Sequence, residues 1–132
     1  MKRLLVALLL TLTVFAASSQ VLGFRTTSYQ ERQLTGYGWT GWSSPQGSNM
    51  TLTIDLDNDI VKIYSPRTQT YRIISYEGTY MDSDGDQTAK YKFIDQDGDR
   101  GTMRLVMRRN GKSEVYIDFA NVMWVYSVVR TY

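Results

Sequence analysis

Residues 51–64, TLTIDLDNDIVKIY, indicate the fold class because one short stretch contains a complete β-hairpin pattern. Apolar and polar side chains alternate in its first half, and the apolar ones are Leu52, Ile54 and Leu56. Asp57–Asp59 follows, and Asp and Asn favour turns because their side chains bond the nearby backbone. The predicted return strand, Ile60–Tyr64, ends before Pro66, which has no N–H to donate to a ladder. The stretch therefore predicts two antiparallel strands.

The same alternation recurs along the chain, and no segment after residue 19 shows apolar residues at helical spacing over three turns. Glu77-Gly78 and Asn110-Gly111 are predicted to be tight turns, and Asn-Gly is the strongest short hairpin signal in the sequence. The predicted strands are Phe24–Gln33, Trp39–Ser44, Thr51–Leu56, Ile60–Tyr64, Gln69–Tyr76, Thr79–Met81, Thr88–Ile94, Thr102–Arg109, Glu114–Phe119 and Met123–Tyr132.

This pattern predicts an all-β fold, an antiparallel meander of about eight strands, in which Phe24–Gln33 and Trp39–Ser44 count as one or two strands around a glycine-rich corner. A meander must protect its edge strands, either by closing into a barrel or by folding into a two-layer sandwich. We favour a closed or nearly closed barrel, because the predicted connections include no long crossover of the kind that Greek-key sandwiches require.

The N-terminus predicts export. Met1-Lys2-Arg3 is a short basic region, Leu4–Ala16 is apolar, and Ala17-Ser18-Ser19 offers small residues for cleavage. The apolar run is shorter than the roughly twenty residues of a transmembrane helix. We therefore expect residues 1–19 to be a cleavable signal peptide, residues 20–132 to form a single domain, and no membrane insertion after cleavage.

The complete absence of cysteine excludes disulfides and a lipoprotein anchor. Exported animal domains of this size usually carry disulfides, so we expect a bacterial protein, periplasmic or secreted. The sequence has 15 basic and 13 acidic residues, and Lys2 and Arg3 belong to the predicted leader, which leaves the two signs in equal number. Nucleic acid is therefore not an expected partner.

Histidine is also absent, so the usual base near neutral pH is missing and we expect no enzyme. Asp55 and Asp118 are the carboxylates placed within predicted strands, and both alternate away from the apolar face toward solvent. Hydrolysis of a glycoside by two carboxylates is kept only as a reserve hypothesis.

Two aspartate-rich loops, Asp82–Asp86 and Asp95–Asp99, are similar to the first half of a calcium loop. The sixth position, which needs glycine, is Gln87 in the first and Arg100 in the second. Ordinary turn chemistry accounts for both loops and weak calcium binding is the alternative, so we predict neither a metal nor a cofactor.

Tyr37, Trp39 and Trp42 lie in one glycine-rich stretch and are the predicted ligand-binding residues. Aromatic ring faces beside flexible glycines suit a glycan or an extended peptide. The alternative is that Trp39 and Trp42 pack in the core or close one end of the barrel.

With its Gly36-Tyr37-Gly38-Trp39 and Gly41-Trp42 corner and the late Arg130, the chain resembles the small exported lipocalin-like (calycin) β-barrel proteins of bacteria. That resemblance implies a barrel of about eight strands, with Arg130 stacked on a tryptophan. We therefore expect a non-enzymatic protein that binds a small apolar molecule, a glycan or a peptide. A structural or assembly role in the bacterial envelope, through contacts with another protein, is the alternative.

Overall fold

The computed structural model describes residues 21–131, so the predicted signal peptide lies outside the described residues. Within this range all regular structure is β-strand, which confirms the predicted class. The strands are β1 (Val21–Thr35), β2 (Gly38–Trp39), β3 (Gln46–Gly47), β4 (Thr51–Asp55), β5 (Ile60–Tyr64), β6 (Gln69–Met81), β7 (Gln87–Asp95), β8 (Arg100–Met107), β9 (Ser113–Asp118) and β10 (Val122–Arg130). The described residues include no helix that could span a bilayer.

Eight of these strands close into an antiparallel barrel, as predicted. The order β10-β9-β8-β7-β6-β5-β4-β1 returns to its start because β1 also pairs with β10. Phe24 shows the closure directly, since it lies opposite Leu52 of β4 on one side and Arg130 of β10 on the other. The short strands β2 and β3 pair with β1 and add nothing to the ring.

Apolar side chains from all eight strands fill the barrel interior. The most completely buried include Leu52, Ile54, Ile63, Tyr91 and Phe93. Removal of this surface from water is the main favourable term in the stability of such a fold. The interior is therefore a packed core, as is usual for barrels of eight strands.

Three hairpin loops share one conformation: Asp82–Asp86, Asp95–Asp99 and Arg108–Lys112. In each, the N–H of the first residue donates to the carbonyl oxygen of the fifth, at 2.7–3.0 Å. The fourth residue is a glycine, with φ of 87°, 88° and 89°. Such loops combine a turn with a left-handed glycine, which explains why Asp-Gly and Asn-Gly occur there. The predicted turn at Asn110-Gly111 is confirmed.

Glu77-Gly78 was expected to be a turn, and this expectation is wrong. Strand β6 continues to Met81, and its register with β7 slips between Ile73 and Ser75 and again between Tyr76 and Gly78. Gly78 has a φ of 115°, which glycine adopts without strain. The interruption in the alternation is therefore a bulge within one long strand.

Residues 40–44, expected in a strand from Trp39 to Ser44, form no regular strand. They still follow β1, since the N–H of Thr40 donates to the carbonyl of Gln33 and the N–H of Ser43 to that of Glu31, both at 2.8 Å. The antiparallel connectivity places loops 65–68, 96–99 and 119–121 at one end of the barrel, and we call the opening between these three loops the mouth. The turn between β1 and β2 lies at the same end, since Gln33 pairs with Val122. Loops 56–59, 82–86 and 108–112 lie at the opposite end.

Candidate ligand site at the mouth of the barrel

A cavity of about 600 Å³ opens at the mouth. All three loops of this end contribute to its lining, together with the adjoining ends of β6, β7 and β10. The cavity is confined to this end because the barrel interior beyond it is occupied by the core. Its size falls within the range of about 300–1,000 Å³ that is typical of small-molecule sites.

Four aromatic rings form a connected set between the cavity and the core. Phe119 is the centre of the set, in edge contact with Trp124 at 5.8 Å and with Phe93 at 5.4 Å between ring centroids. Tyr71 contacts Phe93 in the same way at 4.9 Å. Edge-to-face pairs hold rings in fixed relative orientations. The cavity consequently has a rigid aromatic floor formed by Tyr71, Phe119 and Trp124.

The polar lining adds groups of both charge signs. Arg67 and Arg100 bring guanidinium groups, Asp97 and Asp99 bring carboxylates, and Asn121 brings an amide. A ligand with an apolar ring and one polar end would find partners for both parts here. Specificity in such sites comes from a few placed polar groups around an apolar surface.

Tyr71 joins the aromatic floor to the polar lining. Its hydroxyl donates to Oε1 of Gln69 at 2.6 Å, and both residues line the cavity. Burial raises the pKa of Tyr71, and the nearby Tyr126 and Asp95 add to the increase. The Tyr71 hydroxyl is therefore a neutral hydrogen-bonding group at physiological pH.

The first aspartate of each aspartate-rich loop uses its carboxylate for the turn itself. Oδ1 of Asp82 accepts from the backbone N–H groups of Asp84 and Asp86 at 2.9 and 3.0 Å. Oδ1 of Asp95 repeats this arrangement with the two equivalent amides of its own loop. Within residues 21–131, no group of three or more acidic side chains is placed to hold a metal ion.

The three aromatic residues predicted to bind ligand do not line the mouth cavity, although their stretch lies at the same end of the barrel. Tyr37 is fully exposed in the turn between β1 and β2, while Trp39 and Trp42 are half-buried. The guanidinium carbon of Arg32 lies 5.5 Å from the ring centroid of Trp39 and 5.4 Å from that of Trp42. The two tryptophans therefore contact an arginine on the outer face of the barrel, and ligand binding at these rings stays a prediction.

Asp55 and Asp118 also lie on the outside. Asp118 alternates outward as predicted, but it is only 14% exposed because it forms an ion pair with Arg104 at 2.7 Å. Asp55 closes the turn after β4 by accepting from the Asn58 side chain at 2.9 Å. The late arginine, Arg130, is on the inward face with its cross-strand partner Phe24 and lies over that ring at 5.8 Å, where the resemblance implied a tryptophan.

Sequence reasoning missed the mouth. Trp124 and Phe119 follow the ordinary alternation of their strands, and nothing local separates them from core residues. The available signal was topological: in a meander, every second connection lies at the same end of the barrel. The inward-facing aromatic residues closest to the connection between β9 and β10, Phe119 and Trp124, could therefore have been proposed as the rim or floor of a cavity at that end.

Comparisons with known proteins return no match. No protein-family model matches the chain, and neither a curated protein nor a solved structure matches it.

Proposed function

We propose that this chain is a non-enzymatic binding protein that takes a small, partly aromatic ligand into the mouth of the barrel. The observation that carries the proposal is the cavity of about 600 Å³ with an aromatic floor and a charged rim. An apolar ring would rest on Phe119 and Trp124, and a polar group would meet Arg67 or Arg100. The absence of histidine and cysteine from the sequence supports binding without catalysis.

Export belongs to the same proposal and is supported by the basic and apolar pattern of residues 1–19. A binding protein outside the cytoplasm has no need of thiol chemistry, and its sequence contains no cysteine. Expression of the full chain in bacteria, followed by N-terminal sequencing of the exported product, tests this part. A new N-terminus close to residue 20 is expected, and an uncleaved Met1 would contradict it.

Binding at the mouth is tested with 1-N-phenylnaphthylamine, an uncharged probe that fluoresces in apolar surroundings. We expect a saturable increase in fluorescence with one probe per chain. Asn121→Trp, an exposed position on the rim, should reduce the signal by filling the entrance. Ser83→Trp is the matched control, because Ser83 is exposed at the opposite end and should leave binding unchanged. Equal binding by both variants would refute the mouth as the site.

An assembly role is the second candidate, and one observation favours it. Among the described residues, the edge of β6 from Ile74 to Met81 that faces away from β7 has no ladder partner. Ile74, Tyr80 and Met81 are exposed along it. Unpaired edges are templates for strand addition, although the two bulges of β6 weaken this one. Sedimentation equilibrium tests this role. Self-association that is lost in Ile74→Lys would support assembly through this edge, and a strict monomer would exclude self-assembly.

A further inference from the structure

From the outer face of the barrel we infer a second site, specific for an acidic oligosaccharide and separate from the mouth. The site is a groove of about 640 Å³ that runs from β6 across β7, β8, β9 and β10 to β1, which we call the outer groove. Its charged side chains are Arg32, Lys90, Arg104 and Asp118. Three cations face one carboxylate, so the outer groove is positively charged although the chain is close to neutral.

Arg32 is the least compensated of these cations. Its Nε is buried and has no hydrogen-bond partner in the structure. The structure records no ion pair between Arg32 and a carboxylate of residues 21–131. Trp39 and Trp42 contact the guanidinium group through their rings, but a ring face does not accept the in-plane hydrogen bonds of a guanidinium edge. An oxyanion would supply acceptors to the terminal Nη groups, which are not buried as the Nε is.

Arg104, in the same outer groove, has partners for its guanidinium group. It donates to both carboxylate oxygens of Asp118, at 2.7 and 3.2 Å, and lies 4.1 Å from the ring centroid of Tyr116. Trp42 contacts Tyr116 edge-on at 6.0 Å, so the rings are continuous from Arg32 to Arg104. Arg104 thus has a ring and a carboxylate, whereas Arg32 has rings alone.

The dimensions of the outer groove point to an elongated ligand. Arg32 on β1 and Lys90 on β7 are four strand spacings apart along the curved wall, a path of roughly 19 Å at about 4.8 Å each. Met123 provides apolar surface between them, and Tyr80, 53% exposed on β6, extends the groove beyond Lys90. Cations spaced along a wall with apolar surface beside them fit a chain that carries more than one anionic group.

The wall favours a sugar chain over a peptide. Strands β8, β9 and β10 are paired on both sides, so a peptide laid across them finds no free ladder groups. Sugar rings need no such ladder, since their C–H faces contact aromatic rings and their acidic groups bind guanidinium. The shared chemistry is a carboxylate or sulfate on a carbohydrate.

The test titrates the chain with tetragalacturonate while the arginine Nε–H signals are followed by ¹⁵N NMR. The Arg32 signal should be visible because its Nε is shielded from water. We expect it to shift and saturate, while the signal of Arg108, whose Nε–H donates to Glu114 near the opposite end of the barrel, does not. Sodium chloride at equal ionic strength and uncharged maltotetraose should not shift the Arg32 signal in this way. A shift of Arg32 that never saturates, or one that Arg108 shares, would overturn the site.

Calorimetry on variants completes the test. Arg32→Gln should weaken tetragalacturonate binding about tenfold or more, the usual effect of losing a charge-assisted pair. Lys90→Gln, at an exposed position whose loss does not threaten folding, should also weaken it, whereas the matched Arg72→Gln should not. Hexaglutamate binding as tightly as tetragalacturonate would refute a sugar ligand and indicate an acidic peptide. Naphthylamine binding at the mouth should survive Arg32→Gln, so the two sites succeed or fail separately.

Discussion

The ring of Phe93 occupies the space that a side chain at Gly101 would need. The two residues are cross-strand partners of β7 and β8, and both face the barrel interior. A Cβ on Gly101 would lie 2.4 Å from Cζ of Phe93 and 2.6 Å from the carbonyl oxygen of Asp118. The glycine therefore positions Phe93, which in turn contacts Phe119 in the floor of the mouth.

Gly101→Ala should lower the free energy of unfolding by about 1–3 kcal/mol, because the core must shift to admit the methyl group. It should also weaken probe binding at the mouth through the displacement of Phe93. Gly41→Ala is the control, since a Cβ there meets no atom within 4 Å. Urea unfolding measures both variants, and equal stabilities would show that Phe93 can move without cost.

Tyr91→Phe should stabilise the protein by about 1 kcal/mol at neutral pH. The Tyr91 hydroxyl is buried with no hydrogen-bond partner, and an unsatisfied buried hydroxyl is unfavourable. Tyr71→Phe is the matched substitution and should instead destabilise by about 0.5–1.5 kcal/mol, because its hydroxyl donates to Gln69. Thermal unfolding of the two variants should give shifts of opposite sign. A loss of stability in Tyr91→Phe would reveal a partner for that hydroxyl.

Alkaline pH should unfold the protein progressively. Burial raises the pKa of Tyr71, Tyr91 and Tyr126 above the ordinary value of 10.0. Above pH 10 the unfolded chain loses these protons first and binds fewer than the native state, so the free energy of unfolding falls as pH rises. Each tyrosine contributes a slope of about 1.4 kcal/mol per pH unit.

Urea unfolding between pH 8 and pH 11.5 checks this sign. Stability should not change through these tyrosines below pH 10, and it should fall above that value. In Tyr91→Phe the free energy of unfolding should decrease less steeply with pH, because one of the three tyrosines no longer contributes to the slope. A slope identical to that of the unmodified chain would mean that the Tyr91 hydroxyl ionises equally in both states.

Asp86 should make the opposite end of the barrel sensitive to acid. Its pKa is lowered, first by the backbone N–H of Arg109 and then by the side chain of Arg108. A lowered pKa stabilises the native state above pH 3.8, and this contribution is lost as the carboxylate is protonated at lower pH. Asp86→Asn keeps an oxygen acceptor for Arg109 and removes only the charge.

We therefore expect Asp86→Asn to lower the urea midpoint at pH 7 and to match the unmodified chain once the pH falls well below 3.8. Asp99→Asn is the control, because Asp99 holds the equivalent position in the second aspartate-rich loop. Its side chain makes no recorded ion pair among the described residues. Equal midpoints for the two variants at pH 7 would contradict the role of Arg108.

The barrel could be predicted from the sequence because the same local pattern of alternating strands and short turns recurs along the chain. Alternating apolar residues such as Leu52 and Ile54 indicate buried strand faces, and the Asp-Gly and Asn-Gly loops indicate where strands reverse. Strand β5 was predicted to its exact bounds for this reason. Closure could be favoured as well, since the meander leaves edges to protect.

The sites could not be predicted in the same way, because they depend on which side chains the closed ring brings together. Glu77-Gly78 has the composition of a turn, but continuous pairing with β7 makes it a bulge. Phe119 and Trp124 become a cavity floor only when their loop end is known. Trp39 and Trp42 can be singled out from the sequence as candidate binding rings. Their shared contact with Arg32 cannot be predicted until residues 39–42 are placed beside β1.

The indole N–H signals of the three tryptophans test the central claim most directly, since Trp124 lies in the mouth while Trp39 and Trp42 lie outside. Two-dimensional NMR during a titration with 2-naphthol follows all three at once. Binding in the mouth predicts a saturable shift of the Trp124 signal with the other two unmoved. A saturable shift of Trp39 or Trp42 with Trp124 unmoved would contradict it.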